Sequence, residues 1–130
     1  MSVRDAWARF VRAVGVPRPH KYRARAVQID GIRFASMREG ARYRDLRLLV
    51  AAGMIRDLEC HPAFPILVPD LATGGRAVAA GHYTADFRYV ECQTGDTVIE
   101  DVKSAPTKTT AYKLRKRLIE TTYGITIREV

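Results

Sequence analysis

Residues 97–103, Thr97-Val98-Ile99-Glu100-Asp101-Val102-Lys103, read as a β-strand with three charges in its second half. Alternate residues of a strand share a face, so Asp101 and Lys103 point one way and Glu100 the other. Upstream, Tyr83 to Glu91 reads as another strand, in which Asp86 interrupts the run Tyr83-Thr84-Ala85-Asp86-Phe87-Arg88-Tyr89-Val90. The two join around Gln93-Thr94-Gly95-Asp96, and adjacent strands of such a hairpin can set Asp86 beside Asp101. Neighbouring carboxylates repel unless a cation separates them, and hard oxygen ligands favour Mg²⁺ or Mn²⁺. A plainer reading also exists. Asp86 can simply end a strand, Asp101 and Lys103 can form a surface pair, and Asp-x-Lys is short enough to arise by chance.

The remaining elements follow outward from these strands. Val3, Ala6, Trp7, Phe10, Val11 and Val14 recur at helical spacing, which predicts an amphipathic helix over 1–16, closed by Gly15 and Pro17. Its Trp7 and Phe10 suit a core or a dimer contact. Residues 17–25 form a basic arm in which Pro17 and Pro19 forbid regular helix. Val27 to Phe34 is a hairpin turned at Asp30-Gly31. A helix over 37–52 follows, stopped by Gly53. Ile55 to Glu59 and Phe64 to Val68 are strands around His61-Pro62, and Pro69 to Gly75 is a loop. Thr107 to Thr122 is a helix that Thr107 caps, and Ile125 to Arg128 a last strand. The order predicts a mixed α/β (α+β) fold, a central sheet flanked by helices, with 26–130 as the core of one domain.

The chain has 130 residues, 22 Lys and Arg against 14 Asp and Glu, and a net charge of +8. The charge is segregated: residues 1–47 carry +8, 48–107 carry −4 and 108–130 carry +4. Basic ends around an acidic middle suit a protein that grips a polyanion and also holds a cation. No apolar run reaches the roughly 18 residues of a membrane span, and arginines stand where a signal peptide needs apolar residues. Cys60 and Cys92 form no CxxC pair, so a reducing, cytoplasmic setting is expected. Cys60, His61, His82 and Cys92 match no common zinc spacing.

Glu39 is the third carboxylate of interest. It stands three residues after Ser36, as in a capping box, and it also begins the helical stripe Glu39, Tyr43, Leu46, Val50. The first reading is structural and the second places it toward the site; helix spacing leaves both open.

Glu on the first core helix, Asp on one strand and Asp-x-Lys on the next resemble the PD-(D/E)XK nuclease superfamily. More closely, the chain resembles a family of short phage and prophage endonucleases of that type. The resemblance is carried in order by Lys21-Tyr22-Arg23, Val27 to Ser36, Glu39, Ala52 to Glu59, Ala85-Asp86-Phe87, Val98 to Lys103, Thr107 and Tyr123-Gly124-Ile125. It departs at Cys60-His61-Pro62, where that family has Gln before Pro, and at Ser104, where glycine is usual. The resemblance implies a PD-(D/E)XK core with Asp86 and Asp101 as metal ligands and Glu39 acting on the metal or its water shell. It further implies that Lys103 orients or activates the water, with Mg²⁺ as cofactor and Mn²⁺ able to replace it.

The basic residues complete the expectation. Arg18, Lys21, Arg23 and Arg25 of the arm, Arg38 and Arg42 of the first core helix, and Lys108, Lys113, Arg115, Lys116 and Arg117 of the last are candidate phosphate contacts. Such contacts give affinity without sequence preference. His61 and Tyr112 are expected near the site. The resulting expectation is an endodeoxyribonuclease of phage or prophage origin that cuts branched DNA such as a Holliday junction. It would act as a homodimer in the bacterial cytoplasm, with DNA as its partner and no small-molecule cofactor. Two alternatives stand beside it: a nicking or double-strand endonuclease without junction preference, and a non-catalytic DNA-binding protein on the same fold.

Overall fold

In the computed structural model, residues 25–130 are described. The predicted helix over 1–16 and arm residues Arg18, Lys21 and Arg23 lie outside them. The chain divides into two units between Met37 and Arg38. In the first, Asp30-Gly31 turns a hairpin of β1 (Val27–Ile29) and β2 (Ile32–Phe34). Both turn residues have positive φ, 52° and 76°, the geometry a tight hairpin turn demands.

The second unit opens with α1 (Met37–Ala51), which buries Gly40, Tyr43 and Leu46. Gly53 at φ 72° ends the helix, with Gly53 N–H and Met54 N–H donating to the carbonyls of Val50 and Leu49. The principal sheet has the order β3 (Ile55–Cys60), β6 (Phe87–Glu91), β7 (Thr97–Asp101), β8 (Ile127–Glu129). Its first three strands are antiparallel, and β7 runs parallel to β8, joined through α2 (Thr110–Tyr123). The architecture is mixed α/β.

β7 is interior to this sheet, and Val98, Ile99, Glu100 and Asp101 are all buried. Burial on both faces follows from packing on both sides. Ile99 belongs to a cluster with Phe64, Tyr83, Ala85, Tyr112, Ile119 and Ile127. Glu100 faces the other side, where Arg42 of α1 reaches it. The period-2 reading of Glu100 against Asp101 therefore holds.

Three sequence expectations need correction. The strand expected to run from Tyr83 to Glu91 is two strands, β5 (Arg76–Thr84) and β6, with a break at Ala85-Asp86. β5 extends back over residues that show no strand alternation, because almost every one of them is exposed. It pairs with β4 (Ala63–Asp70) in a long ribbon that includes Pro69 and Asp70, which were expected in a loop. Finally, Thr107 does not cap α2. It closes a short 3₁₀ turn (Ala105–Thr107), and Thr109 Oγ1 accepts from Tyr112 N–H at 3.1 Å as the true N-cap.

Candidate active site

Asp86 sits in the break between the ribbon and the sheet. The neighbouring strand is distorted there too: His61 adopts φ 56° immediately before Pro62, a combination proline disfavours. Such backbone strain costs about 1–3 kcal/mol and clusters at functional sites. Hydrogen bonds fix the distortion. His61 N–H donates to Asp86 O at 2.8 Å, Ala85 N–H to Pro62 O at 3.0 Å and Asp86 N–H to Glu100 O at 3.0 Å. Released from the ladder, the Asp86 side chain turns to the end of β7, where Oδ2 accepts from the N–H of Val102, the residue just after the strand, at 2.6 Å. Burial raises its pKa, while the Val102 amide and the charges of Lys103 and His61 oppose that rise.

Asp101 ends β7 only 1% exposed. Among the described residues, neither of its carboxylate oxygens has a hydrogen-bond partner. Lys103 Nζ is its nearest cation, 3.8 Å from Oδ1. Burial pushes the Asp101 carboxyl up to about 6 against the pull of Lys103 and of the Asp86 backbone amide, and the charges of Glu39 and Glu129 add to the rise. Glu39 therefore lies close enough to Asp101 to influence it. Lys103 Nζ also lies over the Tyr112 ring, 5.1 Å from its centroid.

A cavity of about 370 Å³ opens beside these groups, lined by His82, Tyr83, Thr84, Asp101, Lys103, Thr107, Thr109, Tyr112 and Arg115. Sequence reasoning missed Tyr83, Thr84 and Thr109, which carry no motif. It also missed Glu129, which β7–β8 pairing sets opposite Asp101 across 28 residues of chain. No local pattern foretells that parallel register.

The predicted phosphate contacts divide into distinct groups. Arg42 is not a free surface cation. Its Nε and Nη2 donate to Glu100 at 2.9 and 2.6 Å, and Tyr89 Oη donates to the same carboxylate at 2.6 Å. Lys108 and Lys116 pair with Glu129 at 3.3 and 3.4 Å. Lys113, Arg117 and Arg38 are exposed and form no ion pair among the described residues, and Arg25 is exposed in the first unit.

The donor set at Asp86 and Asp101 suits a hard divalent ion. Asp101 brings two buried oxygens that no donor satisfies, and Asp86 commits Oδ2 alone to a described bond. Among the described residues, no group of three His, Cys, Asp or Glu side chains could hold a metal ion. Glu39, expected to act on the metal or its water shell, bears on Asp101 through its charge. Mg²⁺ commonly takes one or two carboxylates and completes its shell with water and phosphate oxygens.

Residues 19–128 match the family described as "Protein of unknown function (DUF1064)", and the chain belongs to that family. No curated protein and no solved structure matches it. No helix among the described residues is long and apolar enough to cross a membrane.

Proposed function

We propose that this chain is a metal-dependent endodeoxyribonuclease of the PD-(D/E)XK type. One observation carries the reading: Asp101 is buried with both oxygens lacking a hydrogen bond, 3.8 Å from Lys103, at the wall of a polar cavity. A buried carboxylate without a hydrogen bond is costly, and proteins keep one where a cation or a reaction uses it. Asp86 and Asp101 would hold Mg²⁺, with Mn²⁺ as a substitute. When bound, the ion would lower the pKa of water and neutralise charge developing on the phosphate.

The protein groups have separate tasks. Lys103 orients water or a phosphate oxygen by its ammonium, and Tyr112 holds that ammonium on its ring face. Glu39 acts by charge and through water. Lys113, Arg117, Arg38 and Arg25 contact the DNA backbone, joined by the arm residues Arg18, Lys21 and Arg23. Lys108 and Lys116, braced on Glu129, offer phosphate contacts from fixed positions. The substrate we favour is branched DNA such as a Holliday junction, cut by a homodimer during phage DNA metabolism in the bacterial cytoplasm. A compact chain with mostly backbone contacts is better suited to reading DNA shape than sequence.

The test is a labelled four-way junction beside its linear duplex, incubated with Mg²⁺ or EDTA. Junction cutting that needs Mg²⁺ and disappears in Asp101→Ala supports the whole reading. Equal cutting of both substrates retains the nuclease and removes the junction preference. Binding without cutting, in Mg²⁺ and in Mn²⁺, leaves a DNA-binding protein.

A further inference from the structure

The cavity at Asp101 holds more unsatisfied polar groups than hydrolysis at Asp86, Asp101 and Lys103 uses. Tyr83 and Tyr112 both line it. They are 5% and 7% exposed, and among the described residues neither hydroxyl makes a hydrogen bond of normal length, although the Glu129 carboxylate lies near enough to the Tyr112 hydroxyl to help burial raise its pKa. Tyr83 arrives on the ribbon strand β5 and Tyr112 on the first turn of α2, so two independent elements bring phenols to one cavity. A buried hydroxyl without a partner costs about 1–3 kcal/mol, and phenylalanine fills nearly the same space without that cost.

The chemistry of the lining defines the missing partner. Tyrosine hydroxyls donate well to anionic oxygen, and Arg115 and Lys103 add positive charge to the same walls. The Thr84, Thr107 and Thr109 residues supply further short polar side chains there. Asp101, Glu129 and Asp86 are the opposing charges felt by the Tyr112 hydroxyl, and Lys103 Nζ stands 3.8 Å from Asp101 Oδ1.

We propose that Tyr83 and Tyr112 form a subsite for a phosphate neighbouring the one that is cut, resting on the nuclease reading above. The pair donates hydrogen bonds to the non-bridging oxygens of that phosphate, and Arg115 supplies the compensating charge. The subsite fixes the path of one DNA strand through the cleft. It takes a nucleotide phosphate and reads no base.

The dinucleotide pTpT is the probe, titrated by calorimetry into Asp101→Asn, which removes both cleavage and the carboxylate charge facing the phosphate. Adding Tyr83→Phe or Tyr112→Phe to that background should each weaken pTpT about 10- to 100-fold, the effect of one hydrogen bond to a charged acceptor. The melting temperature of each variant should hold or rise, because an unsatisfied hydroxyl is lost. Unchanged affinity in both variants overturns the subsite, as does a failure of pTpT to bind at all. A fall in melting temperature also overturns it, since the hydroxyls would then serve the fold. The two readings fail separately. A wild type that never cuts DNA but loses pTpT affinity with Tyr→Phe keeps the subsite without the nuclease, whereas normal cutting with unchanged affinity discards the subsite alone.

Discussion

Arg42 and Glu100 stand 58 residues apart in sequence and meet in a two-pronged ion pair, Nε to Oε2 at 2.9 Å and Nη2 to Oε1 at 2.6 Å. Glu100 is fully buried, and the Tyr89 hydroxyl completes its shell at 2.6 Å. Arg42 lies one turn beyond Glu39 on α1, and Glu100 immediately precedes Asp101 on β7. The pair therefore ties the helix carrying one acidic residue to the strand carrying the other.

Breaking this pair is expected to be costly. Arg42→Ala strands a buried carboxylate and should destabilise the fold by about 3–5 kcal/mol in urea unfolding. Arg42→Met combined with Glu100→Leu removes both charges and should recover most of that loss. A single variant as stable as wild type would show that the pair contributes nothing.

Asp101 predicts an opposite effect. Its folded pKa of about 6 lies above its ordinary 3.8 because burial disfavours the charge. The native state thus binds the proton more tightly than the unfolded chain. This contribution is fully present below about pH 4 and is lost as pH rises through about 6, roughly 2–3 kcal/mol in all. Without metal, Asp101→Asn should be more stable than wild type at pH 7.5, and the difference should vanish by pH 4. Parallel pH–stability curves for the two proteins would contradict this.

Divalent metal should reverse that deficit. Binding to the native state stabilises by mass action, so Mg²⁺ or Mn²⁺ should raise the wild-type melting temperature in a concentration-dependent way. Asp101→Asn and Asp86→Asn should respond weakly or not at all. An equal response from all three proteins would place the ion elsewhere.

The helix lysines separate by their partners. Lys113 and Arg117 form no ion pair among the described residues, whereas Lys108 and Lys116 share Glu129. Lys113→Ala and Arg117→Ala should each reduce the salt slope of DNA binding by about 1, as expected for one lost phosphate contact. Lys116→Ala also frees a negative Glu129 beside the DNA, so Lys116→Ala with Glu129→Gln should bind better than Lys116→Ala alone. Salt slopes unchanged by Lys113→Ala and Arg117→Ala would remove α2 from the DNA surface.

Local chemistry made much of this fold legible. Asp30-Gly31 predicted the hairpin because only a few residues tolerate two successive positive φ values. Period-2 alternation separated Glu100 from Asp101, and Gly53 located the end of α1. The ribbon strand β5 was hidden because exposure on both faces leaves no alternation in Ala77-Val78-Ala79-Ala80. Asp86 was assigned to a strand, since its neighbours are apolar, whereas the break beside Pro62 depends on a partner 24 residues earlier. Arg42 read as a surface cation because its buried acceptor comes from distant chain. Tyr83 and Glu129 joined the site through tertiary pairing alone.

The decisive measurement compares the initial DNA-cleavage rate of wild type with that of Asp101→Asn, in Mg²⁺ and again in EDTA. Asparagine preserves the side-chain shape, and the variant should fold at least as stably, so a lost rate reports lost chemistry. The expected result is Mg²⁺-dependent cutting by wild type and a fall of at least about 100-fold in Asp101→Asn. Cutting that survives the substitution, or that proceeds in EDTA, would contradict a metal-dependent nuclease centred on Asp101.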